Sequence, residues 1–122
     1  MPARARFDQG VGDAESTALR LAIRDGTLID SVLVDCERNL AVSSLDARTH
    51  ALVELGALVA VGAGVSSFAV TVGEALAAGA SPDEIVGTMV AVMPLIGTAR
   101  AVKAAPRIAL ALGYDVDEAL ET

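Results

Sequence analysis

The chain has 122 residues but only one cysteine, one histidine, one tyrosine and two phenylalanines, with no tryptophan. Cys36 alone can form neither an intrachain disulfide nor a Cys-x-x-Cys redox or zinc pair, so a buried structural thiol is expected there. With one imidazole and no thiol pair, no metal centre is expected, and no cofactor is implied. Aromatic residues make up 2% of a chain that is 53% hydrophobic. Its core must therefore be aliphatic, which lets helix backbones approach closely and leaves apolar faces for a subunit partner. A homo-oligomer is expected, as a dimer, trimer or hexamer.

Basic charge is also scarce. Nine Lys and Arg against sixteen Asp and Glu give a formal charge of −7, and no basic run or aromatic-interleaved patch occurs, which argues against nucleic acid as a partner. The opening MPARARFDQG carries arginines without an apolar block behind them, so no secretory signal is expected and the location expected is cytoplasmic.

What is present begins with a silence. Between Glu54 and Glu74 the nineteen residues LGALVAVGAGVSSFAVTVG contain no charged, thiol or imidazole group. That length raises the question of a membrane span. Four glycines, two adjacent serines and the lack of aromatic or basic anchors argue instead for two buried helices, broken or closely packed near Gly62 to Ser67. Gly56, Ala60 and Gly64 recur every four residues and predict a small-residue face for tight helix contact.

Elsewhere helix signals dominate. Residues 1–13 read as a flexible tail and 14–122 as a single all-α domain. Asp13 caps a helix from Ala14 to about Arg24, ended by Gly26. A second helix is expected from Leu28 to Leu40, and a third opens at Ser43 or Ser44. The fourth ends at Gly79. Ser81-Pro82-Asp83-Glu84 then combines an N-cap, a proline at the first helical position and a capping-box glutamate. The fifth helix is interrupted by Pro94 and Gly97. Thr98 caps a sixth, in which Pro106 predicts a kink or restart before Gly113 stops it. After Tyr114, Asp115 can cap a short helix, although a frayed tail fits equally well. About six helices and no clear strand predict a compact all-α bundle.

The pattern LDARTHALVELGALVAVGAG followed by TVGEALAAGASPDEIVGTMVAVMPLIGTARAV resembles the carboxymuconolactone decarboxylase and alkylhydroperoxidase-D-like family, over about Leu45 to Gly113. The resemblance implies an all-α, usually oligomeric fold. Redox members carry a Cys-x-x-Cys-x-x-x-His run before the Ala-Leu-x-x-Gly element, with a glutamate upstream. Here those positions fall on Gly64, Ser67 and Thr71, and the glutamate position falls near Ala51 or Leu52, one helical turn from Glu54. Peroxide reduction needs a thiolate and a resolving thiol, so a thiol peroxidase is excluded by these replacements.

Decarboxylase members are thought to use acid–base and electrostatic groups on acidic lactones, which points to a decarboxylase- or lyase-type enzyme acting on a small organic acid or lactone. The matching candidates are Glu54 and His50 as catalytic groups, with Ser67, Thr71, Arg48 and Arg100 binding substrate. Each also has a plainer reading. Arg100, Lys103 and Arg107 share one helical stripe that a solvated face explains, and Ser67 and Thr71 can bond to backbone carbonyls one turn earlier. His50 fits an exposed first turn. Glu54 fits either a buried site or the edge of its helix. The loss of all three reactive positions raises the alternative of a degenerate member serving as a ligand-binding or structural subunit.

Overall fold

A computed structural model describes residues 13–121, so the expected tail at residues 1–12 lies outside the described residues. Eight α-helices are formed among the described residues: α1 (Ala14–Ala22), α2 (Gly26–Val34), α3 (Cys36–Ser43), α4 (Ala47–Val61), α5 (Val65–Ala77), α6 (Pro82–Ile96), α7 (Thr98–Ala111) and α8 (Val116–Glu121). No strand occurs among the described residues. The all-α class agrees with the sequence reading, and the expected count of about six helices is corrected to eight. No helix among the described residues is long and apolar enough to cross a membrane. The chain divides into two compact units at Asp46 and Ala47.

The first unit holds α1 to α3. Asp13 caps α1, accepting from the Ser16 N–H, but the helix stops at Ala22 instead of Arg24, and Arg24 adopts a left-handed φ of 59°. Gly26, expected to end that helix, opens α2 behind its cap Asp25. The single helix expected over Leu28 to Leu40 is two. At Asp35 the backbone turns extended, and its carboxylate accepts from the Arg38 N–H, so one residue ends α2 and caps α3. Asp competes with helical bonding in this way because its short side chain can satisfy the orphan N–H groups of a new helix start. The Asn39 amide donates to the Val32 carbonyl at 2.9 Å, satisfying one of the acceptors that the break exposes. Cys36 opens α3 and is exposed, which corrects the buried thiol expected there.

The second unit packs α4 against α5 and α6, and α7 against α4, α5 and α6, with the short α8 on α7. Its core is aliphatic around one ring: Leu55, Val59, Phe68, Val72, Ile85 and Ile108 are fully buried or nearly so. Gly62 turns the chain at φ 70° and Gly64 precedes α5, so the predicted break in the charge-free run falls where the glycines stand. The third predicted helix starts at Ala47, beyond the left-handed Ser44. The capping box at Ser81 and Glu84 is fully formed, with the Glu84 N–H donating to Ser81 Oγ at 3.1 Å and the Ser81 N–H donating to Glu84 Oε1 at 3.0 Å. Asp115 caps α8 by accepting from the Glu118 N–H.

The interruption expected at Pro94 and the restart expected at Pro106 do not occur. Pro94 lies within α6, which continues to Ile96, and Pro106 interrupts nothing in α7. Helix packing on both sides of a proline can hold the segment helical despite one lost backbone bond. The α7 cap is Gly97, at φ 85°, with Thr98 the first helical residue.

Arg48 on α4 meets Glu84 on α6, and one to two turns further along Gly56 meets Thr88 and Val92, so α4 and α6 run parallel in close contact. A Cβ at Gly56 would lie 3.3 Å from Val92 Cγ1 and 3.5 Å from Thr88 Cγ2. Gly64 of the predicted small-residue stripe lies beyond the end of α4 and takes no part. Gly56→Leu is therefore expected to destabilise the protein by about 1–3 kcal/mol through overpacking. Gly73→Ala, in an open position within α5, is expected to stabilise by about 0.5–1 kcal/mol. Denaturant melts of both variants check the contrast; equal shifts would mean that the α4–α6 contact is not tight.

Candidate functional site

The first turns of α4 bring two candidates into direct contact. His50 Nδ1 lies 2.6 Å from Glu54 Oε1, one helical turn away, with the imidazole 17% and the carboxylate 46% exposed. The histidine expected in an exposed turn is thus largely covered, whereas its glutamate stands at the helix edge. A carboxylate at this distance holds the imidazole in a fixed orientation.

Arg48 points to a different neighbour. Its guanidinium donates to Glu84 Oε2 at 2.5 Å, tying the start of α4 to the start of α6. Glu84 is held below the ordinary carboxylate range chiefly by the Ser81 N–H; burial opposes this and the Arg48 charge reinforces it. Asp25 is lowered in the same sense, first by its bond from Arg20 at 2.8 Å.

The remaining candidates sit towards the opposite end of α4. Arg100 donates from α7 to the Ala60 carbonyl, and Arg107 donates to the Ala63 carbonyl. These cations cover acceptors that the end of α4 leaves without helical partners. The expected solvated stripe is thus partly a clamp: two of its members hold backbone, and Lys103 between them is exposed. Ser67 is exposed near the start of α5, whereas Thr71, one turn later, is 7% exposed and packed within the core. Among the described residues no buried side-chain nitrogen or oxygen lacks a partner.

From His50 to Ala60 is ten residues of helix, roughly 15 Å along its axis. The structure therefore gathers Arg48, His50 and Glu54 at one end of α4 and places Arg100 at the other.

Sequence reading missed two concave surfaces. One, of about 490 Å³, runs between α4 and α6 and is lined by Leu52, Val53, Gly56, Ala57, Ala60, Ala91, Val92, Leu95 and Ile96, with Thr49 and Thr88 as its hydroxyl-bearing members. The other, of about 460 Å³, lies within the first unit among Ala14, Leu21, Leu28, Val32, Asn39 and Val42. Gly56 and Ala60 signalled the first surface in sequence, but their spacing alone read as helix contact and not as an open trough.

A family model for the carboxymuconolactone decarboxylase family matches residues 33–111, more than half of the chain. The chain belongs to the carboxymuconolactone decarboxylase family. No curated protein and no solved structure matches it. The match covers both ends of α4, the α4–α5 turn and all of α7. It is thus a carboxymuconolactone decarboxylase-like protein with Gly64, Ser67 and Thr71 at the positions to which the sequence resemblance assigns the thiols and imidazole of redox members.

The lowered carboxyls make stability depend on pH. Both contribute fully above the unfolded carboxylate range, about 4, and the contribution is lost as pH falls through their lower folded values. Thermal melts from pH 7 to pH 3 should show this acid loss, and Glu84→Gln should flatten it while leaving the Asp25 part. An unchanged pH profile in the Glu84→Gln protein would remove Glu84 from the account.

Proposed function

We propose that this family member is a non-redox acid–base enzyme of decarboxylase or lyase type, acting on a small organic acid or lactone, with His50 and Glu54 as its catalytic pair. The observation that carries the reading is the 2.6 Å contact between His50 Nδ1 and Glu54 Oε1. In this reading Glu54 orients the imidazole and His50 exchanges a proton with the substrate. Arg48, two residues before His50 and so on another side of α4, supplies a cation at the same end of the helix, where a substrate carboxylate would compete with Glu84 for the guanidinium. Ser67 and Arg100 belong to the other end of α4 and would serve only an extended ligand or one bound there. In this proposal the protein acts as a cytoplasmic homo-oligomer, the assembly being supported by the exposed apolar residues of α4 and α6.

A second reading, a catalytically degenerate member that binds a ligand or supports an assembly, is favoured by the packing of Thr71 into the core and by Arg100 being engaged on a backbone carbonyl. Turnover assays with a panel of lactones and small carboxylic acids, run beside thermal-shift measurements on the same compounds, separate the two. On the enzymatic reading His50→Gln and Glu54→Gln each lower turnover by about 10²-fold or more while binding shifts persist. Ligand-induced stabilisation without any turnover favours the second reading.

A further inference from the structure

We infer that the Asp25–Gly26 bond is a latent isomerisation site, kept closed in the folded chain by Arg20 and by the first amides of α2. It is the one Asp-Gly step in the sequence, which has no Asn-Gly. At such a step the amide of the following residue can attack the side-chain carboxyl, and glycine, without a Cβ, hinders that approach least. The Gly26 nitrogen bonds to Asp25 Cγ, a Cγ–O bond breaks, and the oxygen leaves as water with the carboxyl proton and the amide proton. One water then reopens the cyclic imide at either carbonyl. It returns aspartate or gives isoaspartate, in which the main chain runs through Cγ. No oxidant or cofactor enters, and the chain is isomerised without change of mass.

Local structure both offers this step and restrains it. Gly26 is exposed at the first position of α2, where a helix start leaves amides without helical partners. Either carboxylate oxygen that could leave is engaged. Oδ2 accepts from Arg20 Nε at 2.8 Å, and Oδ1 accepts from the Thr27 N–H at 3.1 Å and the Leu28 N–H at 3.3 Å. The backbone is tied as well, because the Asp25 N–H donates to the Arg20 carbonyl at 2.9 Å and the Ile29 N–H donates to the Asp25 carbonyl at 3.0 Å. Loss of water requires a neutral carboxyl, and donors bound to the anion disfavour that form. Asp25 is accordingly held below the ordinary carboxylate range, with Arg20 as the first cause. These bonds are also the N-cap of α2, so isomerisation would take the carboxylate out of the cap one turn before the buried Leu28.

The test is the rate at which isoaspartate appears at residue 25 when the full chain is held at neutral pH and physiological temperature, read by peptide mapping and by isoaspartyl methyltransferase labelling. Native wild-type protein is expected to react about tenfold or more slowly than the same chain unfolded in guanidinium chloride, since attack must first break a bond to a charged group. Arg20→Met keeps the apolar stem and removes the donor, and is expected to raise the native rate about tenfold with far-ultraviolet circular dichroism retained. Arg24→Met removes an equal charge beside Asp25 and should leave the rate unchanged. Adding Gly26→Ala to Arg20→Met should lower the rate again. A native wild type that reacts as fast as the unfolded chain overturns the inference, and this comparison decides the matter if Arg20→Met loses its helix signal. A folded Arg20→Met protein that reacts at the wild-type rate, an equal rise with Arg24→Met, or a rise that persists with Gly26→Ala also overturns it.

Discussion

The second unit depends on helices that pack closely because almost nothing large stands between them. Phe68 is the one aromatic ring in its core, and Leu, Ile, Val and Ala supply the rest. Aliphatic side chains of this size fill an interior to native density only when backbones are near one another. At Gly56 that approach is close enough that a methyl group would press on Val92 Cγ1 at 3.3 Å. The parallel contact of α4 with α6 then brings Arg48 to Glu84, and the turn after α4 is held by arginines from α7. Core composition, helix register and the position of every candidate side chain are linked through this one requirement.

Polar groups in this scaffold serve mainly to finish helices. Asp13, Asp25, Asp35, Ser81 and Asp115 cap starts, Asn39 covers a carbonyl at a helix break, and Arg100 and Arg107 cover carbonyls around the end of α4. Against that background the His50–Glu54 pair stands apart, because it joins two side chains and neither terminates a helix. Among the described residues it is this difference that sets the pair apart from the capping groups.

Much of the fold was legible because its signals are local. The capping box at Ser81, the left-handed Gly79 and Gly113, and the break at Gly62 depend on residues within one turn of each other. The misreadings have physical causes as well. Asp35 ended one helix and began the next where an apolar period of three and four ran through it unbroken. Pro94 and Pro106 were overridden by tertiary packing. The site was less legible than the fold: i, i+4 spacing placed His50 beside Glu54 in principle, but nothing in sequence separated Ser67 on the surface from Thr71 in the interior. Nor could it show that Arg100 is occupied by a carbonyl forty residues earlier.

The contrast between Ser67 and Thr71 bears on how far the chain stands from its redox relatives. Gly64 has an ordinary φ of −80° with open space around its missing Cβ, and Ser67 is exposed, so thiols at both positions would meet no steric obstacle. Thr71 is different. An imidazole there would add heavy atoms to a closed interior, at a cost of about 1–3 kcal/mol unless neighbours shrink to admit it. Of the three positions that the resemblance assigns to the redox motif, the two at the surface are thus the ones where a side chain can be enlarged without repacking, and Thr71 is the one where it cannot.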